Sequence, residues 1–253
     1  MDRFGRFREL LVGPEAALPL DEASLLIASF AHPGLDVGAQ LTRLDALAEG
    51  VAPTLDALRR HLFGELGFAG DADDYYDPRN SFLDDVLDRR LGIPITLSIL
   101  LMEVGRRIGV PLDGVSMPGH FLVRDKVDHR VFVDPFARGA ELDRRGAEAR
   151  FHGIHGPGAV FDPGFLEPVG RRSIVARVLA NLERVAVQRG ERSMLAWVLQ
   201  LRAVLPDADV SDRRRLARVL ASSGRYDEAA DVLDQLAGDA DSAAARRLRA
   251  RLN

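Results

Sequence analysis

Between residues 112 and 136 apolar positions alternate along the chain, whereas on either side of this stretch they recur every three or four residues. Alternation marks a strand whose side chains point to opposite faces, and three-and-four spacing marks a helix with one buried stripe. The chain is therefore read as α+β, with a small antiparallel sheet between two helical segments. Strands are expected at 112–117, 121–124 and 131–136, parted by Pro118-Gly119 and by Asp125-Lys126-Val127-Asp128-His129. If the second turn is symmetric about Val127, His120 faces Asp134 across neighbouring strands, within side-chain reach. A slip of one residue would send the two side chains to opposite faces.

The flanking helices are read from their stripes. Leu25, Leu26, Ala28 and Phe30 make one apolar face, Leu41, Leu44, Leu47 and Ala48 a second, and Leu55, Leu58, Leu62 and Phe63 a third. Pro33-Gly34 and Pro53 fall at the connections. Residues 67–80 break the period. Ser81 then reads as an N-cap with Phe82, Leu83, Val86 and Leu87 buried behind it, and Gly92 as that helix's end. Pro94 opens the next helix, because the first helical position has no use for an N–H. Residues 95–108 are so apolar that this helix is expected to be buried on most sides. Residues 139–170 read as loop. From residue 171 the pattern is helical again, with two to four helices expected.

Composition removes whole classes of function. There is no cysteine, which excludes disulfides, thiolate metal sites and every thiol nucleophile. The net charge is −4, against the basic face that phosphate neutralisation needs, so no nucleic-acid partner is expected. The most apolar helix, residues 93–104, is interrupted by Glu103 and falls short of the roughly 20 residues of a membrane span. The first ten residues have no apolar h-region, and a cytoplasmic location away from membranes is expected. No cofactor or metal is expected. The carboxylates of Asp71, Asp73, Asp74 and Asp77 lack the glycine and closing glutamate of a calcium loop and read as a solvated loop. His152 and His155 have no evident third ligand. The arginines at 213–215 and at 246, 247, 249 and 251 read as solvated helix faces, the last of which could meet an acidic partner.

Four blocks, in order, carry a resemblance. They are Tyr76-Asp77-Pro78-Arg79-Asn80-Ser81-Phe82-Leu83-Asp84-Asp85-Val86, then Gly92-Ile93-Pro94-Ile95-Thr96-Leu97-Ser98, then Pro118-Gly119-His120-Phe121, then Val133-Asp134-Pro135-Phe136. Together they resemble the SirB-type branch of the transglutaminase-like superfamily. The fragment Gly224-Arg225-Tyr226-Asp227-Glu228-Ala229-Ala230 is similar to the joint of a tetratricopeptide repeat. The resemblance implies an N-terminal helical segment at 1–74, a papain-like transglutaminase core at 75–170 and a tetratricopeptide-like helical segment at 171–253, packed as one and a half or two repeats.

In active members of the superfamily a Gly-x-Cys opens a buried helix, a histidine follows on a strand, and an aspartate on the next strand orients it. Carried over by that resemblance, Pro94 stands at the cysteine, His120 at the base and Asp134 at the orienter. Pro94 has no nucleophilic atom. Ser98 lies one turn further on the same helix face, about 6 Å along the axis, and is the one candidate substitute; Thr96 projects about 200° away. Its plainer role is a hydroxyl bonded back to the helix. The leading expectation is a non-catalytic scaffold or regulator that binds a protein or peptide in a degenerate cleft formed by Asn80, Pro94, His120 and Asp134. The alternatives are a hydrolase or amide-transferring enzyme using Ser98 or water with His120 and Asp134, and a purely structural domain that presents the helical tail to a regulator. Asn80 is expected to tie its loop to the start of the Pro94 helix.

Overall fold

The computed structural model describes residues 2–236 and 238–251. The chain forms two compact units, Gly13–Val178 and Met1–Val12 together with Leu179–Asn253. Helix α1, Arg3–Val12, belongs to the second unit and was not anticipated; it buries Phe7 and Leu11.

The first unit opens with α2 (Leu20–Ala31), α3 (Val37–Ala48) and α4 (Leu55–Arg59), on the three stripes read from sequence. Asp36 and Thr54 cap α3 and α4, each accepting a backbone N–H with its side chain. A π-type turn, Arg60–Glu65, carries α4 on to the short strand β1 (Ala69–Gly70). A 3-10 turn at Pro78–Ser81 precedes α5 (Leu83–Arg89), β2 (Leu91–Gly92) and α6 (Pro94–Arg107). Strands β1 and β2 pair in parallel, Gly70 opposite Gly92. Two local expectations are corrected here. Ser81 closes the 3-10 turn instead of capping α5, whose first residue is preceded by Phe82 with no side-chain cap. The chain leaves α5 through Arg90, which takes the left-handed conformation at φ 60°, so Gly92 is free to pair in β2.

Helix α6 starts at Pro94, and every residue from Pro94 to Gly105 is buried. Helices α2 to α5 and strands β3 (Leu112–Val115) and β4 (Leu122–Asp125) pack around it. The sheet continues through β5 (Phe132–Asp134) and β6 (Ala140–Leu142) in the antiparallel order β3-β4-β5-β6. Val123 pairs with Val133, which centres the hairpin on residue 128, one residue beyond the expected Val127. Moving the centre by one residue moves the partner by two, so His120 and Asp134 stay on the same face as diagonal neighbours.

Residues 139–170 are not all loop. They contain β6 and α7 (Arg144–His155), capped by Asp143 and buried through Ala147 and Phe151. Beyond them lie α8 (Arg171–Arg189), α9 (Arg192–Arg202), α10 (Val210–Ser222), α11 (Tyr226–Asp234) and α12 (Asp239–Arg249), five helices among the described residues where two to four were expected. In the second unit Leu216, Ala217 and Leu220 of α10 share a core with Ala229, Ala230 and Leu233 of α11. Gly224, at φ 76°, makes the tight joint between them, a conformation that glycine adopts without strain. Among the described residues no helix is long and apolar enough to cross a membrane.

Candidate functional site

His120 is set by a turn. Met117 accepts the His120 amide at 3.1 Å, with Pro118 and Gly119 at the corner and Gly119 at φ 72°, as a type II turn requires. Arg177 of α8 clasps the turn from outside, donating to Ser116 Oγ at 2.8 Å and to the carbonyls of Met117 and His120 at 3.3 and 3.4 Å. Asp134 ends β5, and its carbonyl accepts from Gly139 at 3.0 Å.

The two side chains meet. His120 Nε2 lies 2.9 Å from Asp134 Oδ1, and Arg150 Nε of α7 lies 2.9 Å from Oδ2. Both contacts are close but bent, so neither N–H points along its line to oxygen, and the aligned donor to the carboxylate is the Ala137 amide at 3.2 Å. Burial pushes the Asp134 carboxyl up, but His120, Arg150 and that amide outweigh it, and the group lies below the ordinary carboxylate range. With Nε2 turned to Asp134, Nδ1 is the ring nitrogen left to meet a reacting atom.

Around this pair the other expected residues are tightly held. Pro94 caps no nucleophile, and its carbonyl accepts the Ser98 hydroxyl at 2.7 Å, so Ser98 is bonded back to its own helix. Thr96 donates to the Asn80 carbonyl at 2.7 Å and accepts the Ile93 amide at 3.2 Å, which ties the Asn80 backbone to the start of α6. The Asn80 amide group points the other way, donating to the Asp74 carbonyl at 2.7 Å and accepting from Arg89 at 2.9 Å. Asn80, Pro94, Ser98, His120 and Asp134 are all buried, His120 at 6% exposure, with the Phe136 ring edge-on to the imidazole at 6.1 Å.

The acidic loop also departs from expectation. Asp71 and Asp77 are buried rather than solvated. Arg89 reaches Asp71 at 3.0 Å and Asp77 at 3.6 Å, and Arg79 grips Asp77 with two nitrogens at 2.8 and 2.6 Å. Burial raises the Asp71 carboxyl, but the Asp74 amide, Asn80 and Arg89 bring it below the ordinary range; the Arg79 hydrogen bonds do the same for Asp77. His152 and His155 do not converge: one faces the Gly156 carbonyl at 3.3 Å and the other the Pro118 carbonyl at 3.0 Å. A different set, His32, Asp84 and Asp85, brings three potential ligand atoms within 4.8 Å of one another. There the imidazole sits between two carboxylates, hydrogen-bonded through Nδ1 to Asp84 at 2.6 Å and with Nε2 at 3.6 Å from Asp85.

Sequence reasoning missed Arg150 and Arg177. Arg150 stands on a helix read as loop, although Asp143 followed by Ala147 and Phe151 at helical spacing was the available signal. Nothing local marks Arg177, whose contacts lie about 60 residues back along the chain.

Comparison with known proteins gives a consistent answer. The chain is 41% identical over 185 residues to a UPF0162 protein of Xylella fastidiosa (strain Temecula1), covering 68% of this chain and 66% of that protein. It is 38% identical over 143 residues to a UPF0162 protein of Vibrio cholerae, covering 56% and 52%. It is 31% identical over 169 residues to F-box only protein 21 of the mouse, covering 63% of this chain but only 26% of that one. The match thus spans about two thirds of the Xylella relative's length. No solved structure matches. A family model described as the transglutaminase-like superfamily matches residues 35–180, a span that takes in α6, the sheet and the His120–Asp134 pair, and the chain belongs to that superfamily.

Proposed function

We propose that this protein is a non-catalytic member of the superfamily, of its SirB-type branch, and that it works as a protein-binding scaffold or regulator. The observation that carries the reading is at the start of α6. The position that resemblance assigns to the thiol is Pro94, and the one candidate substitute, Ser98, spends its hydroxyl on the Pro94 carbonyl at 2.7 Å in a fully buried setting. Without a nucleophile the His120–Asp134–Arg150 cluster acts as a strut, joining the Met117–His120 turn, the end of β5 and α7 through polar contacts. The binding surface then belongs to the exposed helices, and the hairpin of α10 and α11 with its Gly224 joint supports a tetratricopeptide-like tail for that role. Recurrence of the matched region inside the much longer F-box only protein 21 supports a module that operates joined to other sequence.

Turnover of chromogenic esters and of glutamine-containing peptides by wild type, His120→Ala and His120→Asn is the test. Equal background from all three is expected, with circular dichroism confirming that at least one variant is folded. Turnover by wild type that a folded histidine variant loses would overturn the non-catalytic reading. Affinity capture with wild type and the same folded variant tests the binding half. The same partners are expected from both, because the imidazole is largely buried; a partner lost only with the histidine would point to binding at the pair.

A further inference from the structure

In the second unit α10, α11 and α12 enclose a groove of about 460 Å³. Its floor is aliphatic and low: Ala217 and Ala221 from α10, Leu233 from α11, Ala244 and Leu248 from α12. Its rim is cationic on both sides, with Arg214 and Arg218 along one wall and Arg247 and Arg251 along the other. The spacing explains the arrangement. On α10 the pairs 214/218 and 217/221 are each four apart, so an arginine row and an alanine row run side by side; on α12 and its last turn 247/251 and 244/248 repeat the pattern.

The charge on this rim is largely uncompensated. Arg214 is paired with Asp241 through two bonds of 2.9 and 2.8 Å. Arg218 and Arg247 are exposed and have no ion pair among the described residues, and the Arg251 guanidinium lies over the Tyr226 ring at 5.9 Å. A chain of net charge −4 thus gathers around one apolar trough three cations with no carboxylate partner among the described residues.

We infer that this groove is a docking site for an acidic amphipathic helix of a partner protein, one that lays small or branched apolar side chains on the alanine floor and sets carboxylates against the two arginine rows. Helix-in-groove recognition needs an apolar channel between helices, and the alanines at 217, 221 and 244 let a fourth helix approach closely. Guanidinium groups on each flank match carboxylates on each edge of such a helix and select against basic or neutral ones. The floor has no aromatic ring for a nucleobase to stack on, which disfavours a single-stranded nucleic acid as occupant. The inference extends the scaffold reading by naming a partner class, and it fails separately from that reading. Turnover by the core would end that reading and leave the groove; a groove without acidic preference would end this inference and leave the scaffold.

The test is selection from a displayed library of random 16-residue peptides on the full-length protein, with subtraction against the double variant Arg218→Ala/Arg247→Ala. Both positions are exposed and have no ion pair among the described residues, so the variant is expected to fold, and Ala221→Phe, which fills the trough, serves as an independent second variant. Enriched peptides should carry apolar residues at three-and-four spacing with flanking Glu or Asp. Their affinity should fall about tenfold in the arginine double variant, should fall in Ala221→Phe, and should weaken with added salt. Enrichment without acidic bias, enrichment that both variants retain, or no enrichment would overturn the inference. So would an oligothymidylate probe that binds more tightly than the peptides, or self-association by sedimentation that the double variant abolishes.

Discussion

Glu103 supports the most demanding test of the fold. It sits on the innermost helix with no exposed surface. Its Oε2 accepts from Arg106 Nε at 2.7 Å, and its Oε1 accepts from Arg171 and, at 3.4 Å, from the amide of Leu20. That amide is the first of α2, whose N-cap position is Pro19 and offers no side-chain oxygen. A carboxylate 83 residues away thus stands where a local cap would, against the positive end of the helix. Removing one partner of a buried charge pair costs about 3–5 kcal/mol. Here the Arg106 side chain is half exposed and Arg171 partly so, and both regain water once released, which places Glu103→Ala near the low end, about 3 kcal/mol. Glu103→Gln keeps the shape and one acceptor and should cost about 1–2 kcal/mol, the difference between a charged and a neutral hydrogen bond. At 2–4 °C per kcal/mol for a chain this size, the melting point should drop by about 6–12 °C for the alanine variant. Scanning calorimetry reads that shift, and hydrogen exchange should show the amide of Leu20 losing protection in Glu103→Ala more than in Glu103→Gln. A loss under about 1 kcal/mol, or unchanged exchange at Leu20, would refute the assignment of Glu103 as the cap of α2.

Gly70→Ala should destabilise by about 1–3 kcal/mol in urea unfolding, because its Cβ would fall within 2.4–2.5 Å of three Phe136 ring atoms. Combining it with Phe136→Leu should recover part of the loss; an additive double variant would show that the ring is not the obstacle. Asp134 should contribute to acid sensitivity with a defined sign. Its folded pKa lies below the ordinary 3.8, so its contribution is complete above that value and is lost as pH falls through the folded pKa. The stability gap between wild type and Asp134→Asn should therefore narrow on acidification from about pH 5 to pH 3, and a gap that widens would contradict the depressed carboxyl.

What could be read in advance was local, and what could not was long-range. The three N-terminal helices, the Pro94 start of α6 and the alternating strands each declare themselves within a few residues, through stripe, cap or period. Strand β6 has three residues, too few for a period to register, and α7 was hidden by the glycines around it. Glu103 read as an interruption in an apolar helix because its partners, Leu20 and Arg171, stand 83 and 68 residues away. Asp71 read as solvated for the same reason, since Arg89, which holds it, belongs to the next helix; Asp77 is held mainly by its near neighbour Arg79, a local pair that the acidic run around it obscured. The facing of His120 and Asp134 was read from the hairpin's symmetry and tolerates an error in register because that error was an even number of residues on the partner strand. Pro94 brings both kinds of information together. A proline at the first helical position satisfies the backbone as well as any residue there, so α6 starts, buries and packs with a side chain that offers no nucleophilic atom. The backbone of α6 therefore makes no demand for a nucleophile at residue 94, and His120 and Arg150 tie the Met117–His120 turn and α7 to the end of β5 through Asp134.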